Sequence, residues 1–123
     1  VNLSAVQMED AALPDLIAAA LARHGIAPRR LELEITESLF LADKPAIADV
    51  LSRLTALGVS FALDDFGTGY SSLGTLRKAR FSRIKIDRSF VSRAAAMGDE
   101  ASAIIQAIVR LAASLDMATT AEG

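Results

Sequence analysis

The chain has no cysteine. That absence excludes disulfides, thiolate metal sites and iron–sulfur ligation, and it fits the reducing conditions of a cytoplasm. Charge of one sign is also scarce, since 13 Lys and Arg against 15 Asp and Glu leave a net charge of −2. A surface so nearly balanced exerts no general pull on a DNA or RNA polymer or on an anionic membrane, so any phosphate recognition has to be local. No apolar run approaches the roughly 18 residues that cross a bilayer, and no basic-then-apolar leader opens the sequence, so a soluble piece is expected. What is plentiful is apolar: 52% of the 123 residues, enough for the core of one small domain.

The least ordinary stretch runs from Phe61 to Leu73. An apolar run of strand length, Val59 to Leu63, ends on two adjacent carboxylates, Asp64 and Asp65, and a loop with Gly67 and Gly69 follows at once. Two neighbouring anions repel, and at a strand end a cation holds them most economically; the glycines let the backbone approach a ligand closely or take positive φ. Asp and Gly are also the commonest turn residues, so on this stretch alone a solvated turn stands beside metal or phosphate chemistry.

Read in order, Val1 to Ser4 has the character of a strand's tail. Pro14 opens a helix to about His24, with Ile17 and Leu21 paired inward and Gly25 as its stop; His24, in the last turn, suits that helix end better than a ligand role. Leu31 to Thr36 alternates, with Leu33 and Ile35 on one face and Glu32, Glu34 and Thr36 on the other. Asp43 with Pro45 starts a helix of about a dozen residues, with Ile47, Val50, Leu51 and Leu54 inward and Gly58 at its end. The strand to Asp64 follows, then a short helix from about Ser71 to Lys78 and a strand from Arg83 to Ile86. After a loop with Gly98, Asp99 caps a helix to about Leu115, with Ile104, Ile105, Ile108, Val109 and Leu111 as its apolar stripe, and a strand from Asp116 to Ala121 delivers Glu122. Strands and helices thus alternate through five strands, the pattern of parallel βα units.

In that architecture Asn2, Glu34, Asp64 with Asp65, Lys85 and Glu122 fall at or near the C-terminal ends of successive strands, which share one rim of the sheet. Singly each has a plain reading: Asn2 a turn residue, Glu34 and Lys85 solvated charges, Glu122 a terminal carboxylate. Jointly they converge, and their hard oxygen donors suit magnesium, manganese or calcium. Lys85, set among carboxylates, would stay charged and orient a water or stabilise a phosphoryl oxygen. Glu37 either accepts hydrogen bonds from the glycine loop or is a carboxylate at a helix N-terminus. The cations Arg77, Lys78, Arg80 and Arg83 attract phosphate or complement a helix dipole, and the second reading is preferred.

Glu34-Ile-Thr-Glu37, Asp64-Asp65-Phe-Gly-Thr-Gly-Tyr-Ser-Ser-Leu73, Lys85-Ile-Asp-Arg-Ser-Phe-Val91 and Ala121-Glu122-Gly123 resemble the successive motifs of EAL domains, bacterial phosphodiesterases of cyclic di-GMP; Asn2-Leu3-Ser4 is similar to the family's asparagine motif. The resemblance implies an incomplete (β/α)8 TIM-barrel-like fold. It implies Asn2, Glu34, Asp64 and Asp65 as ligands of two Mg2+ or Mn2+ ions, Lys85 beside the attacking water, Glu122 at the metal and water site, and Glu37 anchoring the loop of Gly67, Thr68 and Gly69. The reaction would be an in-line displacement giving linear pGpG. A homodimer through the loop and helix after Asp65, and fused regulatory domains, are further implications. The Glu-Ala-Leu motif that names the family is expected upstream of Val1, with the first strands, and the barrel's end after Gly123, so the 123 residues alone are expected to turn over little or nothing. Arg80-Phe81 and Thr119-Thr120 depart from the family's usual Leu-Pro and aliphatic pair. A non-catalytic cyclic di-GMP receptor and an unrelated metal-dependent barrel enzyme remain as other readings.

Overall fold

The computed structural model describes residues 1–67, 76 and 81–122, without the side chains of Met97 and Ala101. Thr68, Gly69, Arg77, Lys78, Arg80 and the helix expected from Ser71 lie outside the described residues, except Leu76, which is buried in the core.

The frame is a four-stranded parallel sheet of β1 (Glu32–Thr36), β2 (Ser60–Phe66), β3 (Phe81–Ile86) and β4 (Ala118–Ala121), each beside its neighbour in sequence. An order that advances without reversal is the arc of a barrel; a doubly wound sheet would turn back at a switch point. The fifth strand expected at the N-terminus shrinks to a single parallel bridge between Asn2 and Glu34. Its backbone bonds are short, Leu3 N–H to the Glu34 carbonyl at 2.9 Å and Glu34 N–H to the Val1 carbonyl at 2.7 Å. Pairing stops there because Ser4 caps α1 (Ala5–Met8) in a reciprocal box with Gln7.

Three further helices follow, the two long ones packed on each other and the short one between them in sequence against β1 and β2. α2 (Leu13–His24) has Pro14 in its first turn and ends on Gly25, as the sequence predicts. A turn of 3-10 helix, Pro28–Arg30, leads into β1, and α3 (Glu37–Phe40) leaves it at once, its N-cap Thr36 hydroxyl accepting from Leu39 N–H at 3.3 Å. α4 (Pro45–Leu57) buries Ile47, Val50 and Leu54 and ends on Gly58. Its cap is Lys44 rather than the expected Asp43. Proline drives the residue before it out of the helical region, and Lys44 is accordingly extended at φ −96°, which makes Pro45 the first helical residue and strands Asp43 one position too early.

The loop expected before Gly98 is a helix, α5 (Arg88–Met97), started by Asp87, whose carboxylate accepts from the backbone N–H of Ser89 at 2.8 Å. α6 (Asp99–Ser114) follows with Gly98, not Asp99, in the cap position. It meets the core through Ile108 and Ala112, one turn apart, while Ile104 and Val109 of the predicted stripe stay exposed; Val109 lies about 100° round the helix from Ile108. Between sheet and helices lie Leu33, Ile35, Phe61, Leu63, Ile84 and Ile86, the apolar half of each alternating strand. Among the described residues no helix is long and apolar enough to cross a membrane.

Candidate metal centre

Parallel strands in register project matching residues to the same face, and the face opposite the core carries Glu32, Glu34 and Thr36 of β1, Ala62 and Asp64 of β2, Arg83 and Lys85 of β3 and Thr120 of β4. Toward the C-terminal ends these become a cluster around one ammonium. Lys85 Nζ lies 2.8 Å from Glu122 Oε1, 3.0 Å from Glu34 Oε2 and 3.6 Å from Asp64 Oδ1, and the lysine side chain is only 16% exposed. The three strands other than its own thus each bring an anion to one cation, β4 through Glu122 just past its end. The hydrogen bond to Glu122, with help from that to Glu34 and from the charge of Asp64, holds the Lys85 ammonium above the ordinary lysine range against the opposing effect of burial. A lysine in that state is a charge carrier and hydrogen-bond donor, not a base.

The two aspartates owe their common orientation to a break in the sheet. In a regular strand Asp64 and Asp65 would point to opposite faces. Here the register runs from Leu63 opposite Ile84 to Phe66 opposite Ile86, so two residues of β2 face Lys85 alone, and Asp65 takes φ 56°. This bulge rotates the second aspartate toward the first. Carboxylate oxygens of Asp64, Asp65 and Glu122 consequently lie within 4.8 Å of one another. Asp65 N–H also donates to Asp64 Oδ1 at 3.0 Å. Burial raises the Asp65 carboxyl above its ordinary value, and the anions Asp64, Asp87 and Glu122 raise it further while Lys85 opposes them. Three oxygens so close, one of them strained toward protonation, form a donor set that a hard divalent cation relieves.

Glu34 is tied to the same ammonium from β1, outside that triad, and the bridge sets Asn2 beside Glu34 at the same rim. Glu37 is 1% exposed, and its Oε2 accepts from Gly67 N–H at 3.3 Å, the loop contact anticipated from the sequence. Gly67 is fixed there for two reasons. Its φ is 100°, and a Cβ would sit 3.3 Å from the Phe90 ring. Gly67→Ala should therefore cost about 2 kcal/mol in urea unfolding, whereas an alanine that fits without strain would be neutral or better.

A second ionic layer under the first was not singled out from the sequence. Arg83 Nε is 3.3 Å from Glu32 Oε1, Arg83 Nη1 donates to Thr120 Oγ1 at 2.8 Å, and Ser82 Oγ donates to Glu32 Oε2 at 3.1 Å. The signal was the alternation itself, because Glu32 and Arg83 precede Glu34 and Lys85 by two residues and share their face. Of the basic cluster, then, Arg83 is engaged in an ion pair on the inner face.

The EAL domain family model matches residues 1–123. The bifunctional diguanylate cyclase/cyclic di-GMP phosphodiesterase MucR of Pseudomonas aeruginosa is 46% identical over all 123 residues, which cover 18% of its length. The structure of the PaMucR phosphodiesterase in complex with c-di-GMP superposes with a TM-score of 0.90 at 45% identity, covering 100% of this chain and 49% of that one. The manganese/cy-diGMP complex of Klebsiella pneumoniae BlrP1 gives a TM-score of 0.87 at 28% identity over 100% of this chain and 31% of that chain. A calcium/cy-diGMP complex of BlrP1 is likewise similar, at a TM-score of 0.86. The chain thus spans about half of the PaMucR phosphodiesterase and under a fifth of MucR itself. Matched from end to end by the family model, and folded as an arc of the same barrel, the chain belongs to the EAL domain family.

Proposed function

We propose that this chain supplies much of the catalytic rim of a metal-dependent phosphodiesterase that hydrolyses cyclic di-GMP to linear pGpG. The observation that carries the reading is the meeting of Glu34, Asp64, Asp65, Lys85 and Glu122, brought from four strands to one edge, in a chain matching the EAL family over residues 1–123. Asp64, Asp65 and Glu122 would hold one divalent ion, Mg2+ or Mn2+, with Glu34 and Asn2 serving a second. Bound there, such ions lower the pKa of a water and neutralise charge on a phosphoryl oxygen. The work of the chain's own groups is positional. Lys85 stays protonated and presents its hydrogens between Glu34 and Glu122, where it orients an attacking water or a non-bridging oxygen. Glu37 holds the backbone of Gly67, and with it the start of the loop after the aspartates.

The same reading makes the 123 residues part of a larger barrel, with further ligands contributed from outside them, and a second copy docking through the segment after Asp65. Regulatory domains joined to it, and a cytoplasmic location, belong to the same proposal. The test is chromatography of cyclic di-GMP incubated with Mn2+ and either the 123-residue chain or a protein carrying it at the length of the PaMucR phosphodiesterase. We expect pGpG from the longer protein and little or none from the shorter. Binding without turnover by the longer protein would make this a receptor, and equal indifference to cyclic di-GMP and mononucleotides would overturn the nucleotide reading altogether.

A further inference from the structure

β2 lies between β1 and β3, yet two ionic contacts of the site run from β3 to β1 across it. Strand spacing of about 4.8 Å puts β1 and β3 roughly 10 Å apart, so Lys85 meeting Glu34 at 3.0 Å and Arg83 meeting Glu32 at 3.3 Å must stretch over the middle strand. The residue under these crossings is Ala62, level with Glu34 on one side and Arg83 on the other. On the core face the same strand presents Phe61 and Leu63. Ala62 is 0% exposed although its own face is ringed by Glu32, Glu34, Arg83 and Lys85, which means that those long side chains close over it.

We propose that Ala62 is a positioning residue: its methyl-sized side chain leaves the gap through which Lys85 reaches Glu34 and Arg83 reaches Glu32, and so sets where the lysine ammonium sits. A branched side chain at this position would stand in the path of both crossings and force the charges of β1 and β3 apart. The inference rests on the proposed phosphodiesterase only for the importance of the ammonium. The crossing itself is a property of the fold.

A double-mutant cycle of Glu34→Gln and Lys85→Met, read by urea unfolding of the 123-residue chain, measures the crossing without any turnover. We expect a coupling of about tenfold in the unfolding equilibrium constant, retained in an Ala62→Ser background and reduced to less than about twofold in Ala62→Val. Full coupling in Ala62→Val overturns the proposal. Should Ala62→Val not fold, the absence of native cysteine makes Ala62→Cys a unique probe. Its thiol should react with a methanethiosulfonate at least tenfold faster once Glu34→Ala and Lys85→Ala remove the cover, and an unchanged rate overturns the proposal. Failure of cyclic di-GMP hydrolysis would instead count against the proposed function and leave both results standing.

Discussion

Lys85→Met should lower stability and turnover while raising metal affinity. Without the ammonium, Glu34, Asp64 and Glu122 lose the cation that they share at 3.0, 3.6 and 2.8 Å. Breaking a fully buried pair costs several kcal/mol, but these side chains retain between 16% and 31% exposure, so screening reduces the expected loss to about 2 kcal/mol. For a domain of this size that lowers the thermal midpoint by roughly 8 °C. The pH dependence follows from the raised Lys85 pKa: the contribution is complete below the unfolded lysine value and lost as pH rises through the higher folded one, so wild type and variant converge in strong alkali. Metal affinity should rise, because Glu122 is released from its bond to Lys85 and a positive charge leaves the neighbourhood of Asp64 and Asp65; about tenfold tighter Mn2+ binding by calorimetry is expected. Turnover by a protein of the relatives' length should nevertheless fall about 10²- to 10³-fold, the usual cost of losing one preorganised donor. A variant that merely unfolds would lose metal binding along with activity.

The cluster was legible in the sequence because strand alternation and chain order fix which residues share a face and a rim. Glu34, Asp64, Lys85 and Glu122 meet as the βα pattern requires, and Glu37 finds Gly67. What alternation cannot reveal is a departure from itself. The bulge at Asp64 and Asp65 needs a residue with φ 56°, which no side-chain pattern announces. α5 was missed for a related reason: among its described side chains only Phe90, Val91 and Ala94 turn toward the core, too few for a visible stripe, and its clearest mark is the Asp87 cap. The short first strand failed where two local signals competed, since Ser4 extends a strand by character but caps a helix by chemistry. A proline decided the last case, setting Lys44 rather than Asp43 before α4.

Asp65→Asn should separate what the aspartate does for folding from what it does for a cation. Asparagine tolerates left-handed backbone nearly as well as aspartate, so the bulge at φ 56° survives the change, whereas Asp65→Ala would add about 1 kcal/mol of backbone strain. Removing the charge also relieves the repulsion from Asp64, Asp87 and Glu122 that raises the wild-type carboxyl. A carboxyl whose folded pKa is raised keeps a proton that the unfolded chain has already lost, so stability in chelator declines as pH rises from about 4 through the folded value. At neutral pH without metal, Asp65→Asn should therefore be about 0.5 kcal/mol more stable than wild type, and that advantage should vanish at low pH. Excess Mn2+ reverses the ranking. At a hundred times its Kd the ion contributes about 2.7 kcal/mol to wild type and lifts the midpoint by roughly 10 °C. The variant, with one of three converging carboxylates made neutral, should bind at least about 100-fold more weakly and gain almost nothing at the same concentration. Thermal melts of both proteins in chelator and in Mn2+ would show curves that exchange order, and equal Mn2+ shifts in the two would remove Asp65 from the metal centre.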